Sequence, residues 1–146
     1  MKVLVPVDGS QHAMEGLRIA VDYARAKGAD ICLLTVVPTI VDVDLEISAG
    51  ERERVIERLE KQGEVILKQA IDVLYAGNLD AHCRKLMSSV SVADAIIDYA
   101  EKEDADLIII GSRGLSPSSR LKMGSVALAV VTNSPCSVYV VKMKSE

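Results

Sequence analysis

No tryptophan and no phenylalanine occur in the 146 residues, and four tyrosines are the whole aromatic complement. Base stacking of the kind used by single-stranded nucleic-acid binders therefore has few platforms. Positive charge is short as well. Seventeen basic against 21 acidic residues leave a net charge of −4, the wrong sign for a general nucleic-acid binder. No apolar run approaches the ~20 residues that span a bilayer. The opening "MKVLVPVDGS" reaches Asp8 after an apolar stretch too short for the core of a signal peptide. These absences give the expectation of a cytoplasmic protein that contacts neither nucleic acid nor membrane.

Cysteine is scarce: Cys32, Cys83 and Cys136, odd in number and far apart, each in an apolar strand-like run. They read as small buried hydrophobes in a reducing compartment. His12 and His82 are distant from one another and from any Cys-x-x-Cys pair, so no zinc spacing exists. His12 reads as an exposed or capping residue near the start of the first helix. The acidic "DVDLE", Asp42 to Glu46, reads as a solvated loop rather than a metal site.

What is present is an alternation of short apolar runs with longer amphipathic ones, over a length suited to a single domain, 1–146. "KVLVPV", "ICLLTVV", "AHCRKLM", "DLIIIG" and "CSVYVVKMK" are predicted strands, the third less apolar and so at an edge. Between them, helical spacing runs from Ala13 to a stop at Gly28, from Glu51 to about Tyr75, and from a capping box at Ser91 to Asp94 onward. "SVALAVVTN" is a short fourth helix. Gly63, inside the second helix, costs about 1 kcal/mol relative to Ala unless close packing offsets it. Residues 38–50 have no clear period and read as a long connection. Strands separated by helices give an open α/β fold with a five-stranded parallel sheet and helices on both faces. Ligands of such sheets sit beyond the carboxyl ends of the strands, where strand order reverses. Asp8-Gly9-Ser10 and the segment from Gly111 onward occupy two such ends.

That second segment, "GSRGLSPSSRLKMGS" at 111–125, holds three glycines, five serines, and the cations Arg113, Arg120 and Lys122, with no acidic residue. Glycines let backbone N–H groups approach a ligand, and Gly124-Ser125 opens a helix whose N-terminus favours anions. The spacing fits neither the P-loop nor the dinucleotide fingerprint. On these grounds alone the segment is equally a plain Gly/Ser connection or an anion cradle.

Gly111-x-x-Gly114, nine residues, then Gly124-Ser125 resembles the nucleotide-binding motif of the universal stress protein family. "VLVPVDGS" at 3–10, "DLIIIGSRG", "GSVA" and the closing "PCSVYVVK" follow the same family's order. The resemblance implies a Rossmann-like, adenine-nucleotide α-hydrolase-like fold that binds ATP with Mg2+. It implies that Asp8 hydrogen-bonds the adenosine and that the Val36 backbone meets adenine. Gly111, Gly114, Gly124 and Ser125 would hold ribose and phosphates, with an N–H from Val126. Pro6, Val7, Ile110 and Arg113 complete the expected set. Pro6 breaks a rule of central strands, as residues near a site often do. It further implies a homodimer through strand 136–143 and a role in stress response; since no residue is poised as a general base, the expectation is a nucleotide-dependent sensor or regulator rather than a dedicated enzyme. One departure stands out: where the family often has a Gly-x-Pro turn, this chain has "SSVSVAD", 88–94, with Val90 and Val92 placed to narrow the pocket.

Other readings are weaker. A phosphoryl-accepting receiver needs an acidic cluster and an Asp after the third strand, where "LMSSVS" has none. Ser119-x-x-Lys122 lacks the companion motifs of serine hydrolases. Within the family, the alternative is a dimeric interaction module that binds no nucleotide.

Overall fold

The computed structural model of the chain describes residues 1–39, 48–115 and 123–144. Its elements are β1 (Lys2–Pro6), α1 (Gln11–Lys27), β2 (Asp30–Pro38), α2 (Ala49–Ala76), β3 (Cys83–Ser89), α3 (Val92–Lys102), β4 (Leu107–Gly111), α4 (Ser125–Asn133) and β5 (Ser137–Val141). All five strands run parallel, in the order β3-β2-β1-β4-β5. The expected architecture is therefore present, with the less apolar strand at an edge. That edge strand begins two residues later than its pattern suggested. Only half of its side chains meet a core, so its boundaries are weakly marked in sequence.

Alternation along the strands divides the core in two. Val3, Val5, Ile31, Leu33 and Ile109 face α1 and α2, where they meet Leu17, Ala20, Ala70 and Leu74. Leu4, Leu34, Ile108 and Ile110 face α3 and α4, against Ile96, Tyr99, Ala100 and Val130. Each fully buried Leu or Ile contributes roughly 2 kcal/mol. Burial, helped by the Glu103 carboxylate, raises the Tyr99 phenol above its ordinary pKa.

Gly28 and Ser91 mark helix ends where the sequence placed them, whereas α1 and α2 each begin two residues earlier than expected, behind caps at Ser10 and Ser48. Ser10 accepts from the Ala13 N–H, Ser48 from Glu51 and Ser91 from Asp94, capping α1, α2 and α3. Gly28 closes α1 at φ +66, a conformation that costs glycine little. His12 is not the cap expected as one option for it. Ser10 takes that role, and His12 is half-buried in the first turn. Gly63 sits where α2 crosses the sheet. A Cβ there would stand 2.8 Å from both Leu86 Cδ1 and Val37 Cγ2, so close packing does offset its cost.

The cysteine expectation is corrected. Cys32 and Cys83 are register partners across β2 and β3, with Cα atoms 4.5 Å apart, and they form a disulfide. Two residues 51 apart in sequence meet only because these two strands are neighbours in this register. Cys136 remains free and half-buried. Among the described residues, no helix is long and apolar enough to cross a membrane. Of the 38–50 connection, residues 40–47 lie outside the described residues, and with them "DVDLE". Residues 116–122 do too, with Ser119, Arg120 and Lys122.

Candidate functional site

The chain lays down β1, β2 and β3 in one direction across the sheet, then β4 and β5 on the other side of β1. Strand order thus reverses between β1 and β4, and Pro6 helps to open the gap. The Val7 N–H donates to the Leu34 carbonyl, so Val7 faces β2 and, by alternation, the Pro6 nitrogen faces β4. A proline has no N–H to give there. The β1–β4 pairing ends at Leu4↔Ile108, whereas β1–β2 continues to Pro6↔Leu34. The proline in a central strand thus coincides with the point where two strands part.

A crevice of about 400 Å³ fills that gap. All eleven residues singled out in the sequence line it: Pro6, Val7, Asp8, Val36, Ile110, Gly111, Arg113, Gly114, Gly124, Ser125 and Val126. Their placements differ in kind. Leu34 and Val36 direct their peptide groups to the same side of β2. Leu34 finds Val7 there, while Val36 lies beyond the end of the β1–β2 ladder. Its backbone is therefore aimed past β1 into the crevice.

Asp8 follows β1. Its Oδ1 accepts from the Ser10 N–H at 2.9 Å, an arrangement that fixes the carboxylate at the start of α1. Its Oδ2 faces Gly114, where an added Cβ would come within 2.7 Å. Gly111 serves packing rather than open space. A Cβ there would press on His12 Cβ at 2.7 Å and on the His12 carbonyl carbon at 2.9 Å, so its absence lets α1 start against β4.

Gly124 is the N-cap of α4 and supplies no side-chain cap, unlike Ser10, Ser48 and Ser91 on the other helices. The first N–H groups of α4, at Ser125, Val126 and Ala127, have no intrahelical acceptor by helix geometry. They carry the positive end of the helix dipole into a wall of the crevice. The Gly124 N–H donates to the Ser112 carbonyl at 2.6 Å, tying the far end of the glycine segment back to its beginning.

Sequence reasoning missed one wall and one oxygen. Leu59, Gln62, Gly63 and Ile66 of α2 close the crevice opposite the glycine segment. Gly63 was the available signal, since a glycine in mid-helix marks close approach. Thr35 lines the same crevice, and its buried Oγ1 has no hydrogen-bond partner among the described residues. Nothing in the strand pattern distinguished it from its apolar neighbours. Of the two valines in the "SSVSVAD" turn, Val92 lines the crevice and Val90 is 72% exposed, outside it. Among the described residues, the set with metal-ligand proximity is Cys32, Cys83 and Glu103; none of the three lines this crevice, and the two cysteines are joined in the disulfide.

Comparison with known proteins gives a consistent picture. Residues 1–142 match the sequence profile of the universal stress protein family. A universal stress protein of Methanocaldococcus jannaschii, MJ0531, is 32% identical over 141 residues, covering 97% of this chain and 81% of that protein. Among solved structures, the protein MJ0577 superposes with a TM-score of 0.84 at 25% identity, covering 99% of this chain and 97% of the other. An Archaeoglobus fulgidus universal stress protein solved in complex with dAMP gives 0.69 at 24% identity, covering 97% and 98%. An Arabidopsis thaliana family protein with AMP bound gives 0.70 at 19%, covering 99% and 93%.

Proposed function

The chain belongs to the universal stress protein family, and from that premise we propose that its crevice binds ATP and that occupancy, not turnover, is its output. The role is that of a nucleotide-dependent sensor or regulator in stress response. The observation that carries this reading is the convergence on one crevice of the outward-aimed Val36 backbone, the fixed Asp8 carboxylate and the uncapped start of α4. These three supply, in order, amide groups for a base edge, an acceptor for ribose hydroxyls, and donors for phosphate oxygens.

Aliphatic side chains take the place of aromatic ones around the base. Leu59, Ile66, Val92 and Ile96 line the crevice, and no Phe or Trp exists in the chain to stack there. A bound Mg2+ would sit on the phosphates and offset their charge. Asp8 is the sole carboxylate among the described lining residues.

A second copy of the chain is the partner this reading includes, joined along β5. That strand ends the sheet, and exposed Leu128 and Val131 on α4 and Tyr139 on β5 add apolar surface in the same part of the fold. This surface also favours the second reading, a dimeric interaction module that takes no nucleotide.

Calorimetric titration of nucleotide-stripped protein with Mg-ATP separates the two. Saturable binding that Gly114→Val abolishes, while circular dichroism shows the variant folded, is the result expected. No heat across millimolar ATP would overturn nucleotide binding and leave the interaction module.

A further inference from the structure

Beside the crevice lies a second, more open hollow of about 780 Å³. The two share Asp8, Gln62, Ile66 and Leu115, so they are continuous past the end of β1. Arg54, Arg58 and Lys61 line the outer hollow. Their spacing of four and three residues places them on one face of α2. All three are exposed, and none makes an ion pair with a described residue. Two acids also border the hollow, Glu57 and Asp8. One oxygen of Asp8 is already held by Ser10. Cations thus outnumber acids on a surface whose protein carries net negative charge.

We propose that this cationic ledge of α2 receives the terminal phosphates of the nucleotide, so that the site distinguishes a triphosphate from a monophosphate. The inference rests on the nucleotide reading of the crevice and adds to it what selects among adenine nucleotides. An adenosine seated by Val36 and Asp8 occupies the inner crevice. Its phosphate chain leaves past Gly114 and Leu115, and Leu115 borders both hollows. A monophosphate ends near the α4 start. A triphosphate adds negative charge further out, where guanidinium and ammonium groups donate charge-assisted hydrogen bonds. Because the ledge is exposed, screening limits its strength, and the selectivity it provides falls as salt rises.

The test compares ATP, AMP and adenosine as calorimetric ligands, with Mg2+ present, for the native protein and Arg54→Gln/Arg58→Gln/Lys61→Gln. These surface changes leave the packed face of α2 intact, which an unchanged melting temperature verifies. The native protein is expected to bind ATP at least tenfold more tightly than AMP at low salt. The triple variant is expected to lose most of that ratio while its AMP affinity stays within about twofold, since AMP does not reach the ledge. A triple variant that keeps the native ATP-to-AMP ratio overturns the inference, and so does a native protein with no preference for ATP. If none of the three ligands binds the native protein, the nucleotide reading itself fails, and its failure is recognised by the missing AMP and adenosine signals.

Discussion

Gly114 lies so close to Asp8 that a Cβ built on the glycine would stand 2.7 Å from Asp8 Oδ2. The two residues come from opposite sides of the point where strand order reverses, one after β1 and one after β4. Their contact is possible only because one of them has no side chain. It leaves one carboxylate oxygen at the mouth of the crevice while the other is held by the Ser10 N–H.

Replacing Asp8 with Asn tests what that oxygen does. The amide oxygen can still accept from Ser10, so the turn into α1 is kept. The charge and one acceptor are lost, and a hydrogen bond to a charged group is worth about 1.5–3 kcal/mol. ATP affinity should fall by about tenfold or more, with a melting temperature close to native. An affinity within twofold of native in a calorimetric titration would remove Asp8 from the ligand-binding set.

Gly63 offers a prediction about stability. Alanine would gain about 1 kcal/mol of helix propensity. Its methyl group, however, would meet Leu86 Cδ1 and Val37 Cγ2 at 2.8 Å, and overpacking of that kind costs about 1–3 kcal/mol. The contact term wins, so Gly63→Ala should lower the denaturant midpoint. It should also weaken nucleotide binding, because Gly63 forms part of the crevice wall. A stabilised variant would show that α2 can lift off the sheet without cost.

The fold was legible in the sequence because nearly every element announces itself locally. "LIII", 107–110, is apolar throughout because β4 is covered on both faces, and Ser91 and Gly28 mark helix ends by their own chemistry. Two strand ends, Asp8-Gly9-Ser10 and Gly111 onward, stood out by their own residues, whereas the full set of eleven, Val36 and Val126 included, came from the resemblance to the family motif. What was not legible depends on how elements lie against each other. The α2 wall exists because a long helix crosses β2 and β3, and its Leu59 and Ile66 look like any amphipathic stripe. Cys32 and Cys83 become partners only through the β2–β3 register. No local pattern encodes that register.

The disulfide closes a loop that contains all of α2. For a separation of 51 residues, constraining the unfolded chain contributes about 4 kcal/mol. Cys83→Ser, or reduction of the native protein, should therefore lower unfolding free energy by up to about 4 kcal/mol in urea titration. Alkylation of the unreduced, unfolded chain should label Cys136 alone, and all three cysteines after reduction. Equal stability with and without a reductant, in a sample shown by mass to carry the bond, would refute this.

The last prediction concerns the free edge of the sheet. The Val141 carbonyl accepts from the Ser112 N–H, so Val141 faces β4. By alternation, the N–H and C=O groups of Val138 and Val140 point away from the sheet, toward whatever lies beyond β5. Proline at 140 would therefore remove an outward donor while leaving the β4–β5 hydrogen bonds of Val141 and Tyr139 in place. If two copies pair along β5, the strand from the second copy loses that donor and meets the proline ring, whereas the fold of each copy is spared. Sedimentation should then report a dimer for the native protein and a monomer for Val140→Pro, with similar helix content by circular dichroism. A variant that remains dimeric would move the interface off the strand edge and onto the exposed side chains of α4, where Leu128→Glu becomes the decisive substitution.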